Sequence, residues 1–151
     1  VQELLPQGHY LVRTAWLYGL QGSNFVKTML RLEKERDTVS VVTDQMGQPT
    51  YASDLAEHIA LLMDRHPAPG TYHGTNSGEV SWYDFTREIF RLAGADPDRV
   101  QPTTSAEFVR PAPRPAYSVL GHDRWMEQGL PEMRPWQEAL EAAFADGISG
   151  D

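Results

Sequence analysis

From His9 to Gly94 the chain reads strand, helix, strand, helix, strand, helix, and this alternation limits the fold more than any other feature. His9 to Tyr18 (HYLVRTAWLY) is a β-rich run with few charges, bounded by Gly8 and by Gly19 and Gly22, which predicts a buried strand delivering a loop. Asn24 stands where it can cap a helix from Phe25 to about Glu35. Phe25, Val26, Met29, Leu30 and Leu32 form the apolar face of that helix, and Arg31, Glu33, Lys34 and Glu35 its wet side. Thr38 to Thr43 (TVSVVT) is β-branched and predicts the next strand, and Asp44 to Thr50 (DQMGQPT) a turn. Ser53 is expected to cap a helix carrying Leu55, Ala56, Ile59, Leu62 and Met63 that stops before Pro67. Gly70 to Asn76 gives a short strand. Ser81 with Asp84 forms a capping box, after which Trp82, Phe85, Ile89, Phe90 and Ala93 mark a helical face ending at Gly94. The reading is α/β layers, without requiring every strand to share one sheet.

Beyond Asp96 the texture changes. Pro97, Pro102, Pro111, Pro113 and Pro115 punctuate the chain; Ser105 to Val109 has room for a helical turn, and Arg110 to Tyr117 (RPAPRPAY) must be largely extended, as a linker or a binding loop. Pro135 then opens a last amphipathic helix with Trp136, Leu140, Ala143 and Phe144 on its apolar side.

Composition excludes several classes. Among 151 residues, 13 basic and 21 acidic side chains leave a formal charge of −8, and the lysines are only Lys27 and Lys34, which argues against a nucleic-acid polymer as partner. The absence of cysteine removes disulfides, thiolate metal sites and thiol catalysis, and fits a cytoplasmic protein. The histidines contain no His-Glu-x-x-His pair, so no metal site is expected. No apolar run approaches the roughly 18 to 20 residues that span a bilayer, so no membrane segment is expected either. Val1 to Gly8 lacks a starting methionine and reads as the last turn of a helix with a glycine stop, which suggests a piece beginning inside a larger protein.

Local catalytic signatures are missing. Gly19 and Gly22 lack the third glycine of a dinucleotide loop, no tyrosine has a lysine four residues on, and no Gly-x-Ser-x-Gly elbow occurs. Five segments nevertheless carry a resemblance in order: Arg13-Thr14-Ala15-Trp16-Leu17-Tyr18-Gly19, Gly22 to Leu30 (GSNFVKTML), Asp44 to Thr50 (DQMGQPT), Ser81-Trp82-Tyr83-Asp84-Phe85, and Arg114 to Leu120 (RPAYSVL). Together they resemble the C-terminal half of the dTDP-4-dehydrorhamnose reductases, which are extended short-chain dehydrogenase/reductases. The resemblance covers roughly residues 9 to 145. It implies the last strands of a Rossmann-type sheet together with a smaller α+β substrate-binding lobe. It also implies an N-terminal half, absent here, that carries the NADPH or NADH site and the catalytic groups, so that residues 1–151 bind a dTDP-sugar and alone reduce nothing. It leaves room for a homodimer. Two other readings stay open: a non-catalytic regulatory relative, like the β subunit of methionine adenosyltransferase, and a related sugar-nucleotide epimerase or dehydratase.

The resemblance singles out substrate-binding candidates, each with a plainer alternative. Trp16 is an aromatic wall beside the sugar or a packed loop residue. Asn24 and Phe25 open a helix whose free N–H groups suit a diphosphate, or are a plain cap with a buried ring. Gln48 and Thr50, around Pro49, read the base or merely form a turn. Arg114, near Arg110, binds the diphosphate or stays solvated. Trp82, Phe85, Phe90, Trp136 and Phe144 are expected in the core, and His73 as a structural histidine.

Overall fold

The computed structural model describes residues 1, 3–5, 7–107, 112 and 114–150, and its elements follow the expected alternation. Near the start, the amides of Leu4 and Leu5 both donate to the Val1 carbonyl, at 3.1 and 2.9 Å, as in a helical turn. β1 (Tyr10–Arg13) and β2 (Leu17–Tyr18) then replace the single strand expected from His9 to Tyr18. The break lies at Trp16, whose φ of +47° is left-handed and redirects the chain.

α1 (Phe25–Glu35) has the predicted bounds and is followed by β3 (Val39–Val42), β4 (Met46–Gly47), β5 (Thr50–Tyr51) and α2 (Ala52–Arg65). Ser53 does not cap α2. The cap position is Tyr51, whose N–H donates to the Asn76 side-chain oxygen at 2.8 Å, so a residue from a distant loop satisfies the backbone there. β6 (Gly70–His73) is shorter than expected; β7 (Val80–Ser81) leads directly into α3 (Trp82–Leu92). The Ser81 half of the capping box is present, the Asp84 amide donating to Ser81 Oγ at 3.0 Å, and the Asp84 carboxylate accepts from the Ser81 hydroxyl at 2.6 Å. A short 3-10 turn at Pro97–Arg99 precedes β8 (Val100–Thr103), and α4 (Asp123–Glu127) and α5 (Trp136–Ala145) complete the order. Ser105 to Glu107 forms a turn; Phe108 and Val109, the rest of that predicted helical turn, lie outside the described residues.

Among the described residues the strands form four two-stranded sheets, with β1–β6, β2–β5 and β3–β8 parallel and β4–β7 antiparallel. In β8, Pro102 stands opposite Val41. Two apolar clusters hold these layers. The larger joins α1, α3 and α5 through Val26, Ile89, Phe90 and Leu140, each contributing of order 1.5–3 kcal/mol by full burial. The smaller lies against β1–β6 and consists of Leu62, Tyr72, Trp125 and Leu130. The α/β expectation therefore holds. No helix among the described residues is long and apolar enough to cross a membrane.

Candidate functional site

β4 is only two residues long, yet three site segments meet on it. β7 pairs with it on one side and delivers Trp82 at the start of α3. Tyr117 bridges to Met46 in parallel, and the Met46 amide donates to the Ala116 carbonyl at 2.8 Å, which brings the Arg114 segment alongside. Gly47 lies against the Trp16 indole so closely that a Cβ there would collide with the ring. The sequence makes this possible with a glycine where the indole presses on backbone.

A cleft of about 820 Å³ runs between α1 and β3. Its walls are apolar: Phe25, Met29 and Leu32 from α1, Val39, Val41 and Val42 from β3, and the Trp82 ring. Phe25 packs on Trp82 with ring centroids 4.2 Å apart. Polar groups come from Gln45, Ser105 and an exposed Arg114. Gln45 Nε2 donates to Ser105 Oγ at 2.8 Å, and the Ser105 amide and hydroxyl donate to Asp44 at 3.0 and 2.9 Å, fixing that wall to the β3–β4 turn. Those bonds, the backbone one first, hold the Asp44 carboxyl below the usual range. A flat aromatic and aliphatic slot with one guanidinium at its side suits a base or sugar face together with a phosphate.

Of the six candidates, Phe25 and Arg114 line this cleft. Trp16 does not. It stacks on Trp82, which does. Asn24 borders a separate depression of about 310 Å³ with Lys27 and Arg31. Both ends of its side chain serve the backbone: Oδ1 accepts from the Lys27 amide at 3.1 Å and Nδ2 donates to the Gly19 carbonyl at 2.8 Å. Gln48 and Thr50 are 3% and 0% exposed and line neither space. Arg110 lies outside the described residues.

Trp82 was expected in the core with Phe85, Phe90, Trp136 and Phe144. The first two of those four are buried as expected, and Trp136 is too, while Phe144 packs half-buried against them. Trp82 instead is half-buried and forms a cleft wall. Helical spacing could not separate the two fates, because Trp82 sits at the first position of α3, where one edge of the ring escapes the helix interface. His73 is structural in its contacts, with Nδ1 2.9 Å from the Gly121 carbonyl.

Buried polar groups shape the surroundings. Asp54 receives two nitrogens of Arg134, at 2.9 and 2.6 Å, and Asn76 Nδ2 at 2.7 Å. Burial, reinforced by the Asp54 charge, pushes the Tyr18 hydroxyl well above its ordinary value; Tyr51, buried and donating to Asp146, is pushed up to about 12.

Comparison with known proteins gives this geometry a family. A dTDP-4-keto-6-deoxy-D-glucose reductase of Streptomyces niveus is 54% identical over 144 residues, 95% of this chain and 50% of the relative. A dTDP-4-dehydrorhamnose reductase of Streptomyces griseus is 52% identical over 149 residues, 95% of this chain and 49% of the relative. The crystal structure of a dTDP-4-dehydrorhamnose reductase from Bacillus anthracis in complex with NADP superposes with a TM-score of 0.86 at 44% identity, over 91% of this chain and 48% of that one. This chain thus spans about half the length of the relatives it matches, and its strands and helices follow those of Rossmann-type reductases. The family model for the RmlD substrate binding domain matches residues 1–148, and the chain belongs to that family.

Proposed function

We propose that residues 1–151 are the C-terminal, substrate-binding part of an NAD(P)H-dependent reductase acting on a dTDP-linked 4-keto-6-deoxy sugar, with dTDP-4-dehydro-L-rhamnose as the foremost substrate. The observation that carries this reading is the aromatic cleft of Phe25 and Trp82 with Arg114 at its side, in a chain of this family. The two Streptomyces reductases differ in their sugar and share dTDP, so the nucleotide is the firmer half of the proposal.

In this reading the parts of the Phe25 and Trp82 rings left open to the cleft pack against the planar base or the apolar side of the sugar, and the Arg114 guanidinium takes diphosphate oxygens. The nicotinamide cofactor, when bound, supplies the hydride. This chain has neither a glycine-rich dinucleotide loop nor a Tyr-x-x-x-Lys pair to hold the cofactor or move the proton, so its residues bind and orient the sugar nucleotide only. A cytoplasmic location and a homodimer belong to the same proposal.

Calorimetry tests it. Titration of the chain with dTDP is expected to give saturable heat, UDP to bind more weakly, and Arg114→Ala to weaken dTDP by about tenfold or more. NADPH with the keto-sugar is expected to give no turnover. Absence of dTDP heat would overturn the nucleotide reading, and turnover by this chain would overturn the division of labour.

A further inference from the structure

We propose that Gln48 is a positioning residue: its side-chain oxygen holds the segment following Arg114 against β4, and so sets where that arginine stands beside the cleft. The inference rests on the reading of the cleft as a sugar-nucleotide site and assigns Gln48 a role other than touching the ligand.

Proton counting fixes the arrangement. Gln48 Oε1 accepts from the Leu120 amide at 2.8 Å and from Thr75 Oγ1 at 3.0 Å. The Leu120 N–H has to meet an oxygen, so the amide of Gln48 cannot be flipped. Thr75 has one hydroxyl proton, and Gln48 takes it. His122 Nε2, 2.7 Å from the same hydroxyl oxygen, must then carry a proton and donate it. The result is a directed chain from His122 to Thr75 to Gln48, with Leu120 donating from the other side. Thr75, like Gln48, is almost wholly buried at 1% exposure, so each of these bonds is shielded from water and expensive to break.

The strap reaches Arg114 over a short stiff path. Ser118 donates to the Met46 carbonyl through its amide at 3.0 Å and its hydroxyl at 3.1 Å, and Met46 donates to Ala116. Between Ala116 and Arg114 stands Pro115, which fixes its own φ and confines Arg114 to extended backbone. The Met46 contacts on the strap are made by backbone atoms, which most side chains at 46 would allow. Gln48 adds a side-chain acceptor that ties Leu120 down, alongside the His73 contact with Gly121 and the Thr75 contact with His122.

The test compares Gln48→Met, which keeps length and loses the acceptor, with Gln48→Glu, which keeps an acceptor for both donors. Without ligand, the Leu120 amide is expected to exchange at least about tenfold faster in Gln48→Met and to stay protected in Gln48→Glu. Nitrogen NMR is expected to find His122 protonated at Nε2 in its neutral form. The dTDP affinity is expected to fall about tenfold in Gln48→Met, to recover in Gln48→Glu, and to fall no further when Gln48→Met is added to Arg114→Ala. Unchanged Leu120 protection, the opposite imidazole tautomer, or full additivity with Arg114→Ala would each overturn the proposal. If Gln48→Met fails to fold, Gln48→Asn, one methylene too short to reach both donors, is judged by the same readouts. A wild-type chain giving no dTDP heat would overturn the cleft's assignment, while the amide and tautomer results still decide the strap.

Discussion

Trp16 and Trp82 lie face to face, with ring centroids 3.4 Å apart and planes 12° from parallel. The stack joins the loop after β1 to the first residue of α3, and Gly47 leaves the room that the Trp16 indole occupies. Gly47→Ala is expected to displace that indole at a cost of about 1–3 kcal/mol. Because Trp82 then loses its support, dTDP affinity should fall with it. Urea unfolding and calorimetry on the same variant check both, and a Gly47→Ala chain as stable as wild type would remove the argument for the slot.

Asp54 is buried and depends on Arg134 and Asn76 for partners. Arg134→Met is expected to destabilise by about 2 kcal/mol, at the lower side of values for broken buried pairs because the Arg134 side chain stays 39% exposed. Asp54→Asn in the same background should recover part of the loss, since the uncompensated charge is gone. Thermal melts of the wild type and the two variants measure it.

Acidification acts through His122. Burial outweighs the opposing pull of Glu132 and Asp123 and holds its imidazole below the ordinary value of 6.5, and His73 and His58 push the same way. With the folded value depressed, the unfolded chain takes the proton first. The contribution is full above pH 6.5 and declines as pH falls through that value toward the folded one. His122→Gln, which keeps a donor for Thr75 and cannot titrate, is expected to flatten the dependence of stability on pH between about 7 and 5. Urea midpoints across that range provide the check.

Asn24 serves the fold before any ligand. Asn24→Ala is expected to lower stability by about 1 kcal/mol through loss of the cap of α1 and of the bond to Gly19. Its dTDP affinity should change less than about threefold. A large loss of affinity without loss of stability would return Asn24 to the nucleotide.

What could be read from the sequence was what neighbours in the chain decide. The bounds of α1 follow from Asn24 and an apolar face within eleven residues, and the Ser81–Asp84 box lies within four. The break at Trp16 was not legible, because a left-handed tryptophan is held by Gly47 and Trp82, residues far along the chain. The start of α2 was misread for the same reason: Ser53 looked like the local cap, whereas Asn76 takes the Tyr51 amide from a distant loop. Phe25 and Arg114, singled out from motif order as substrate-binding candidates, both line the cleft. Gln48 and Trp82 exchanged expectations, since a polar residue was buried by partners at 75 and 120 and an aromatic one was left half-open.

Pro102 shows how the chain treats its own margins. The Thr103 carbonyl accepts from Thr43, so the backbone groups of 101 and 103 face β3 and those of 100 and 102 face outward. The missing N–H of Pro102 therefore falls in the middle of the outer rim of β8, where a foreign strand would seek a donor. That rim is a dead end for strand-by-strand growth, and a domain with several two-stranded sheets gains from it a built-in resistance to fibrous assembly while it is being made.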